Sequence, residues 1–193
     1  MKKNIIITGA TDGIGLAAAK VIASKNYQIG LVGRNPEKGK KAIETIQSKT
    51  GNENLDFFQC DLSSVKNIKK LSDEIKSKYS KIDVLLNNAG GANKTKVITS
   101  EGLEKTFATN QMNYYVLSTE LFNIISESND GRIVNVASNA HIGAEIDYEN
   151  INAEKSFSAW TSYCVSKLMN IMMTYKMAAM QDKVSVNVLH PGF

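Results

Sequence analysis

Tyr163-Cys164-Val165-Ser166-Lys167 sets a phenol and an ammonium at i and i+4. On a helix that spacing places both side chains on one face. A phenol titrating near its ordinary value of about 10 is a poor base at neutral pH. A neighbouring ammonium favours the phenolate, and the pair could then exchange a proton with a substrate oxygen. The same spacing is common on ordinary helix faces, so its meaning depends on what else the chain supplies. Cys164 lies off that face and reads as a packed thiol. Leu168, Met169, Met172 and Met173 read as core or as a subunit-contact face.

A second candidate lies near the start. The β-branched run Ile5-Ile6-Ile7-Thr8 stops at Gly9, and Gly13 and Gly15 follow before a helical pattern begins. Gly9 would allow a tight turn, Gly13 a close approach of backbone to a pyrophosphate, and Gly15 close packing of helix on strand. Free N–H groups and the positive end of the helix dipole would favour the anion. The glycine spacing is wider than the plain dinucleotide fingerprint and lacks the Gly-Lys-Ser/Thr end of a nucleoside-triphosphate loop. Arg34 stands about twenty residues after that turn, where a dinucleotide site that prefers NAD carries an acidic residue. An arginine there suits a 2′-phosphate and predicts a preference for NADP(H).

The elements needed to hold such groups can be read from the whole chain. Its 193 residues suffice for one α/β domain with a substantial core, and 42% hydrophobic with 22% charged residues is ordinary for a soluble globular protein. The net charge of +4 is modest and its lysines are scattered. Lys38, Lys40 and Lys41 fit a solvated helix face better than a nucleic-acid stripe, so no nucleic-acid partner is expected. Two cysteines, Cys60 and Cys164, without metal-ligand spacing point to a reduced, cytoplasmic protein with no metal. No run is long enough to span a membrane, and Met1 stands too close to the first strand for a leader or anchor.

Strands are predicted at residues 4–8, 28–33, 54–59, 82–87, 132–137 and 184–189. Helices are predicted at about 14–25, 36–49, 64–79 with Ser63 or Ser64 as cap, 100–127 as a short helix leading into a long one, and 162–181 with Thr161 or Ser162 as cap. In the first helix, Ile14, Ala18, Val21 and Ile22 share one face. Asn35 and Pro36 make a good cap and first turn, and Gly51 a good end. Residues 139–160 read as a surface excursion. Strict strand–helix alternation implies parallel pairing with right-handed crossovers. A doubly wound sheet in the order 3-2-1-4-5-6, a Rossmann fold, is the expected solution, with its crevice beyond the carboxyl ends of the strands.

Thr8-Gly9-x-x-x-Gly13-Ile14-Gly15, Asn87-Asn88-Ala89-Gly90, Asn110, Ser138, Tyr163-x-x-x-Lys167 and Pro191-Gly192 occur in an order that resembles the short-chain dehydrogenase/reductases. Gly33-Arg34-Asn35, the run Asn135 to His141, and the long gap from Ser138 to Tyr163 look most like the retinol-dehydrogenase-like and WW-domain-oxidoreductase-like group. The resemblance implies that Tyr163 is the general acid in reduction and the base in oxidation. It implies that Lys167 assists Tyr163 and holds the nicotinamide ribose, that Ser138 hydrogen-bonds the reacting oxygen, and that Asn110 positions a water toward Lys167. Gly9, Gly13, Ile14 and Gly15 would surround the pyrophosphate, with Thr11 and Asp12 of the same loop among the cofactor contacts. Asp61 and Leu62 would border the adenine. Asn88, Ala89 and Gly90 would line the ribose and nicotinamide side, and Pro191 and Gly192 would flank the nicotinamide.

Each polar group has a structural alternative. Asn87 and Asn88 could satisfy loop backbone. Asn110 could steady an irregular turn, and Ser138 could cap a strand. His141 and His190 read as structural.

Relatives continue beyond His190-Pro191-Gly192-Phe193 with a carboxamide-contacting loop, helices over the substrate and a last edge strand. Two functions therefore stand as expectations. The first is an NADP(H)-dependent oxidoreductase interconverting an alcohol and a carbonyl on a small lipophilic substrate. The second is a catalytically silent dinucleotide-binding sensor or partner module. The resemblance also implies homo-oligomer pairing through the helices near residues 110–127 and 162–180.

Overall fold

The computed structural model describes residues 2–192. Six parallel strands form one sheet: β1 (Asn4–Thr8), β2 (Gln28–Gly33), β3 (Leu55–Gln59), β4 (Val84–Asn87), β5 (Arg132–Val136) and β6 (Ser185–Leu189). Their order is β3-β2-β1-β4-β5-β6, as the strand–helix alternation predicts. Ile6 of β1 pairs with Gly30 on one side and Leu85 on the other. Leu85 pairs with Ile133, and Ile133 with Val186.

Successive residues of a strand face opposite sides of a sheet, and here both sides are covered. Ile5 and Ile7 pack with Ile29, Leu31, Ala19 and Ile46 beneath α1 (Gly13–Ala23) and α2 (Pro36–Thr50). Ile6 packs with Leu85, Ile133, Ile68, Leu71, Leu117 and Leu121 on the other face. That layer is built by α3 (Val65–Lys78) and α5 (Asn113–Ser126), with α4 (Lys105–Phe107) a single turn before α5 and α6 (Ala159–Met180) beside β6.

The predicted caps of α2 and α3 are present. Asn35 accepts from the Lys38 N–H at 2.9 Å, Gly51 closes α2 with φ +68°, and Ser64 caps α3. Three expectations are corrected. First, the buried face of α1 is Gly15, Ala19 and Ala23, while Ile14 is 56% and Val21 70% exposed. Small residues let the helix lie close on the sheet, so of the expected stripe only Ile22 packs against the core, at its edge, while Ile14 and Val21 face outward. Second, helix does not begin at Ser100. Ile98 and Glu104 form an isolated bridge, and the Glu104 carboxylate starts α4 by accepting from the Thr106 and Phe107 amides, both at 2.9 Å. Third, α6 begins one turn early, because Ser158 takes the Thr161 N–H at 3.3 Å. Between α4 and α5, residues Ala108–Met112 widen into a π-helical turn in which the Asn113 N–H reaches the Ala108 carbonyl.

Candidate active site

The predicted site residues lie at or just beyond the carboxyl ends of the strands, except Gly13, Ile14 and Gly15 in the first turn of α1 and Asn110, Tyr163 and Lys167 on later helical segments. Gly9 turns the chain with φ +65°. A Cβ at Gly15 would stand 2.2 Å from the Gly9 carbonyl oxygen and 2.5 Å from Asn88 Nδ2. No side chain fits there, so α1 closes directly on the turn. Gly13 has φ +50°, and a Cβ there would meet nothing within 4 Å, which marks the open side of the loop. Asp12 caps α1 by accepting from the Gly13 N–H at 2.8 Å and pairs with Lys38 at 3.0 Å. The Lys38 ammonium, with the Gly13 amide, holds the Asp12 carboxyl below its usual range. Thr11 rests on the end of β2, where a Cβ at Gly33 would lie 2.6 Å from its methyl.

Thr8 joins the glycine turn to the loop after β4. Its hydroxyl oxygen accepts from the Asn88 N–H at 2.9 Å and the Ala89 N–H at 3.0 Å. In return, Asn88 Nδ2 donates to the Thr8 carbonyl at 2.9 Å.

Beyond β2 and β3 lies a cleft of about 410 Å³ lined by Arg34, Gln59, Cys60, Asp61 and Lys70 among others. Arg34 is exposed. Partial burial pushes the Asp61 carboxyl up, but two hydrogen bonds from Ser63 and the charges of Arg34 and Lys105 hold it below its ordinary value. Leu62 is buried beside it. Burial, with Asp61 and Glu74 nearby, pushes the Cys60 thiol up to about 12.

On α6, Tyr163 and Lys167 share a face, with the Lys167 Nζ 5.7 Å from the Tyr163 ring centre. Lys167 is only 3% exposed. Its Nζ donates to the Val136 carbonyl at the end of β5 at 2.8 Å. Burial lowers it to about 8. Asn110 sits in the π-helical turn, fully buried. Its Oδ1 accepts from the Gly91 N–H at 2.9 Å, and its Nδ2 donates to the Gly91 carbonyl at 3.0 Å and to Ser166 Oγ at 2.9 Å. A Cβ at Gly90 would lie 3.0 Å from Asn110 Oδ1 and 3.4 Å from Lys167 Nζ, so these two groups converge on that glycine. Ser138 follows β5, and its Oγ accepts from the Ala140 N–H at 3.2 Å.

The model of the short chain dehydrogenase family matches residues 3–193. The chain belongs to the short-chain dehydrogenases. It is 34% identical to human retinol dehydrogenase 11, covering 98% of this chain and 60% of that protein. It is 32% identical to human polyprenol dehydrogenase, covering 97% and 59%. The chain thus spans about three fifths of the length of these relatives. A short chain dehydrogenase of Shigella flexneri 2a, crystallised with NADP, superposes with a TM-score of 0.79 at 25% identity, covering 98% of this chain and 77% of that one. A protein from Mycobacterium paratuberculosis superposes at 0.83 with 26% identity, covering 99% and 68%. The expected family and its retinol-dehydrogenase-like group are borne out.

In this short-chain dehydrogenase, Gly9, Gly15, Asn88 and Ala89 meet in one cluster, while Asn110, Gly90 and Lys167 meet in another. Pro191 and Gly192 lie exposed just past β6; His190, between them and the sheet, accepts from the Asn139 N–H at 3.3 Å. Three participants escape a reading of types and spacing. Ser166 ties Asn110 to α6, the Val136 carbonyl anchors Lys167, and Trp160 stacks on Tyr163 with ring centres 6.1 Å apart. Of these, Ser166 had a signal, since it lies between Tyr163 and Lys167 in the motif. A backbone carbonyl leaves none.

Proposed function

We propose that this short-chain dehydrogenase interconverts an alcohol and a carbonyl on a small lipophilic substrate, using NADP(H). The observation that carries the reading is the placement of Tyr163 and Lys167 on one face of α6, with the ammonium drawn against β5 and the Asn110–Gly90 loop. The names of the dehydrogenase relatives and the NADP-bound Shigella structure support it. The fold as a whole is read as one NADP(H)-binding domain.

The residues present fit a dinucleotide. Gly9 and Gly15 leave no space for a side chain beneath the turn, and Gly13 leaves open space above it, which is the shape a pyrophosphate requires. The first turn of α1 would supply amide donors for it at Ile14 and Gly15, beside Gly13, whose own amide caps onto Asp12, with Thr11 in the same loop. Arg34 would meet the 2′-phosphate, and Asp61 and Leu62 the adenine. Asn88, Ala89 and Gly90 would line the ribose and nicotinamide, with Pro191 and Gly192 flanking the latter. When bound, NADPH supplies the hydride.

The chain's own residues handle the proton and the oxygen. In reduction Tyr163 gives its phenolic proton to the oxygen that becomes an alkoxide; in oxidation it takes the proton back. The Lys167 ammonium stabilises negative charge on Tyr163 and would also hold the nicotinamide ribose. Ser138 donates to the reacting oxygen, which requires its hydroxyl to keep accepting from Ala140 while its own hydrogen turns outward. Asn110 acts by position, since its side chain is committed to Gly91 and Ser166. It holds the loop that borders Lys167 and would place a water beside the ammonium.

The cysteines Cys60 and Cys164 are both unpaired and buried, which supports a reduced, cytoplasmic setting. No helix among the described residues is long and apolar enough to cross a membrane. Tyr115, Met172 and Tyr175, exposed on α5 and α6, support pairing of copies through these helices.

Replacing Tyr163 tests the mechanism. Tyr163→Phe should lower the rate of NADPH-dependent reduction of an α-diketone by about a hundredfold or more, with the NADPH dissociation constant changed less than about threefold. Turnover that survives in Tyr163→Phe would remove Tyr163 from the proton-transfer role.

A further inference from the structure

Lys167 is a buried cation without a counter-ion among the described residues. No carboxylate stands within 4.0 Å of it among the described residues. What surrounds its Nζ can be stated element by element. Its own helix offers the Tyr163 ring at 5.7 Å. β5 offers the Val136 carbonyl at 2.8 Å. The loop after β4 offers Gly90, with no side chain. α5 offers Tyr114, whose ring centre lies 5.5 Å away. Tyr114 is fully buried, and its hydroxyl donates at 3.3 Å to the same Val136 carbonyl that Lys167 uses. Among the described residues the titratable groups in contact with the ammonium are thus the two phenols, and burial, not a neighbouring charge, acts on it.

An ammonium over an aromatic face is attracted by the ring quadrupole, and more so where water is excluded. Two faces and one carbonyl can thus stand in for a carboxylate. A carboxylate there would bind the ammonium tightly and cancel the positive charge that a phenolate and a ribose need. Burial, with Tyr163 beside it, holds the Tyr114 phenol well above its ordinary value, so it remains a neutral donor.

We propose that Tyr114 is a positioning residue for Lys167, holding the ammonium between two aromatic faces and fixing the carbonyl to which it is tied. The proposal rests on the reading of Tyr163 and Lys167 as the proton-transfer pair. Its ring keeps the lysine charged, and its hydroxyl holds Val136. The lysine already titrates near 8, so a further drop of about one pH unit would leave it roughly half neutral at pH 7. The ring of Tyr114 separates this site from one in which burial alone sets the charge.

The test titrates Lys167 directly, in the full chain labelled with ¹³C-lysine. The Cε resonance is assigned by its loss in Lys167→Arg, and pH profiles of diketone reduction are recorded in parallel. Tyr114→Phe keeps the ring and should titrate within about 0.3 of the parent, with a modest loss of rate. Tyr114→Leu removes the ring and should titrate about one unit lower, a tenfold change, with the lysine-dependent limb of the rate profile moving by the same amount. If Tyr114→Leu does not fold, phenylalanines of increasing fluorination at position 114 preserve the shape and should lower the midpoint stepwise. A midpoint unmoved by Tyr114→Leu or by fluorination would overturn the proposal. So would an equal drop in Tyr114→Phe, since it would assign the effect to the hydroxyl alone. The titration needs no turnover. A moving midpoint in a protein that reduces nothing would uphold Tyr114 and sink the reductase reading, whereas a fixed midpoint in an active enzyme would do the reverse.

Discussion

Lys167 meets a peptide carbonyl where a buried lysine more commonly meets an acid, and this has a thermodynamic signature. Burial lowers it from 10.5 to about 8. Between those two pH values the unfolded chain binds more protons than the native one, so stability rises with pH across that window. Its contribution is least favourable below about pH 8, where both states carry the charge and only the native state has desolvated it. Lys167→Met should therefore flatten the rise in urea midpoint from pH 8 to 10.5 and raise stability most on the acid side, by a few kcal/mol at most. Parallel curves for the two proteins would show that the lysine is not desolvated. At this scale Tyr163 and Lys167 were legible because i and i+4 on a helix are neighbours whatever the tertiary fold. Tyr114 was not, since its nearness to Lys167 exists only once α5 and α6 flank the end of β5.

The elements show the same division. Local chemistry announced α2 in full: Asn35 caps it, Pro36 opens it and Gly51 ends it in the left-handed conformation. The buried face of α1 was not legible from hydrophobicity, because Gly15, Ala19 and Ala23 are selected for small size at a close approach. The π-helical turn at Ala108–Met112 leaves no periodic signal either, since it inserts one residue into an otherwise regular pattern. Gly15→Ala probes the close approach. Its methyl would have to displace backbone at Gly9, 2.2 Å away, and overpacking of that kind typically costs about 1–3 kcal/mol. We expect a lower urea midpoint and a loss of NADPH affinity of about tenfold or more, read by Trp160 fluorescence. A variant with unchanged affinity would show that the turn and helix can separate without harm to the site.

At the scale of the molecule, the strand order β3-β2-β1-β4-β5-β6 and the parallel direction of every strand were legible from alternation alone, and they bring the strand ends to one rim. Residues 139–160 were legible only as an excursion; their short helical turn at Asn139–His141 depends on Ser138 as a cap. A ligand seated along the rim contacts several strands at once and so stabilises the whole fold. NADPH at a hundredfold excess over its dissociation constant should add about 2.7 kcal/mol, a rise of roughly 5–10 °C in Tm for a chain of this size. NADH at the same concentration should give a smaller rise, and Arg34→Asp should bring the two shifts together or invert them. Equal shifts in the parent protein would remove Arg34 from the choice of cofactor. The hydroxyl of Thr8 has a consequence of another kind. The Asn88 and Ala89 amides lie in a loop, yet both donate to that one buried oxygen. In deuterated water they should exchange on the clock of the central strands rather than that of a loop, and Thr8→Val should release both together. The rim would then keep its shape for as long as the sheet does, before any ligand arrives.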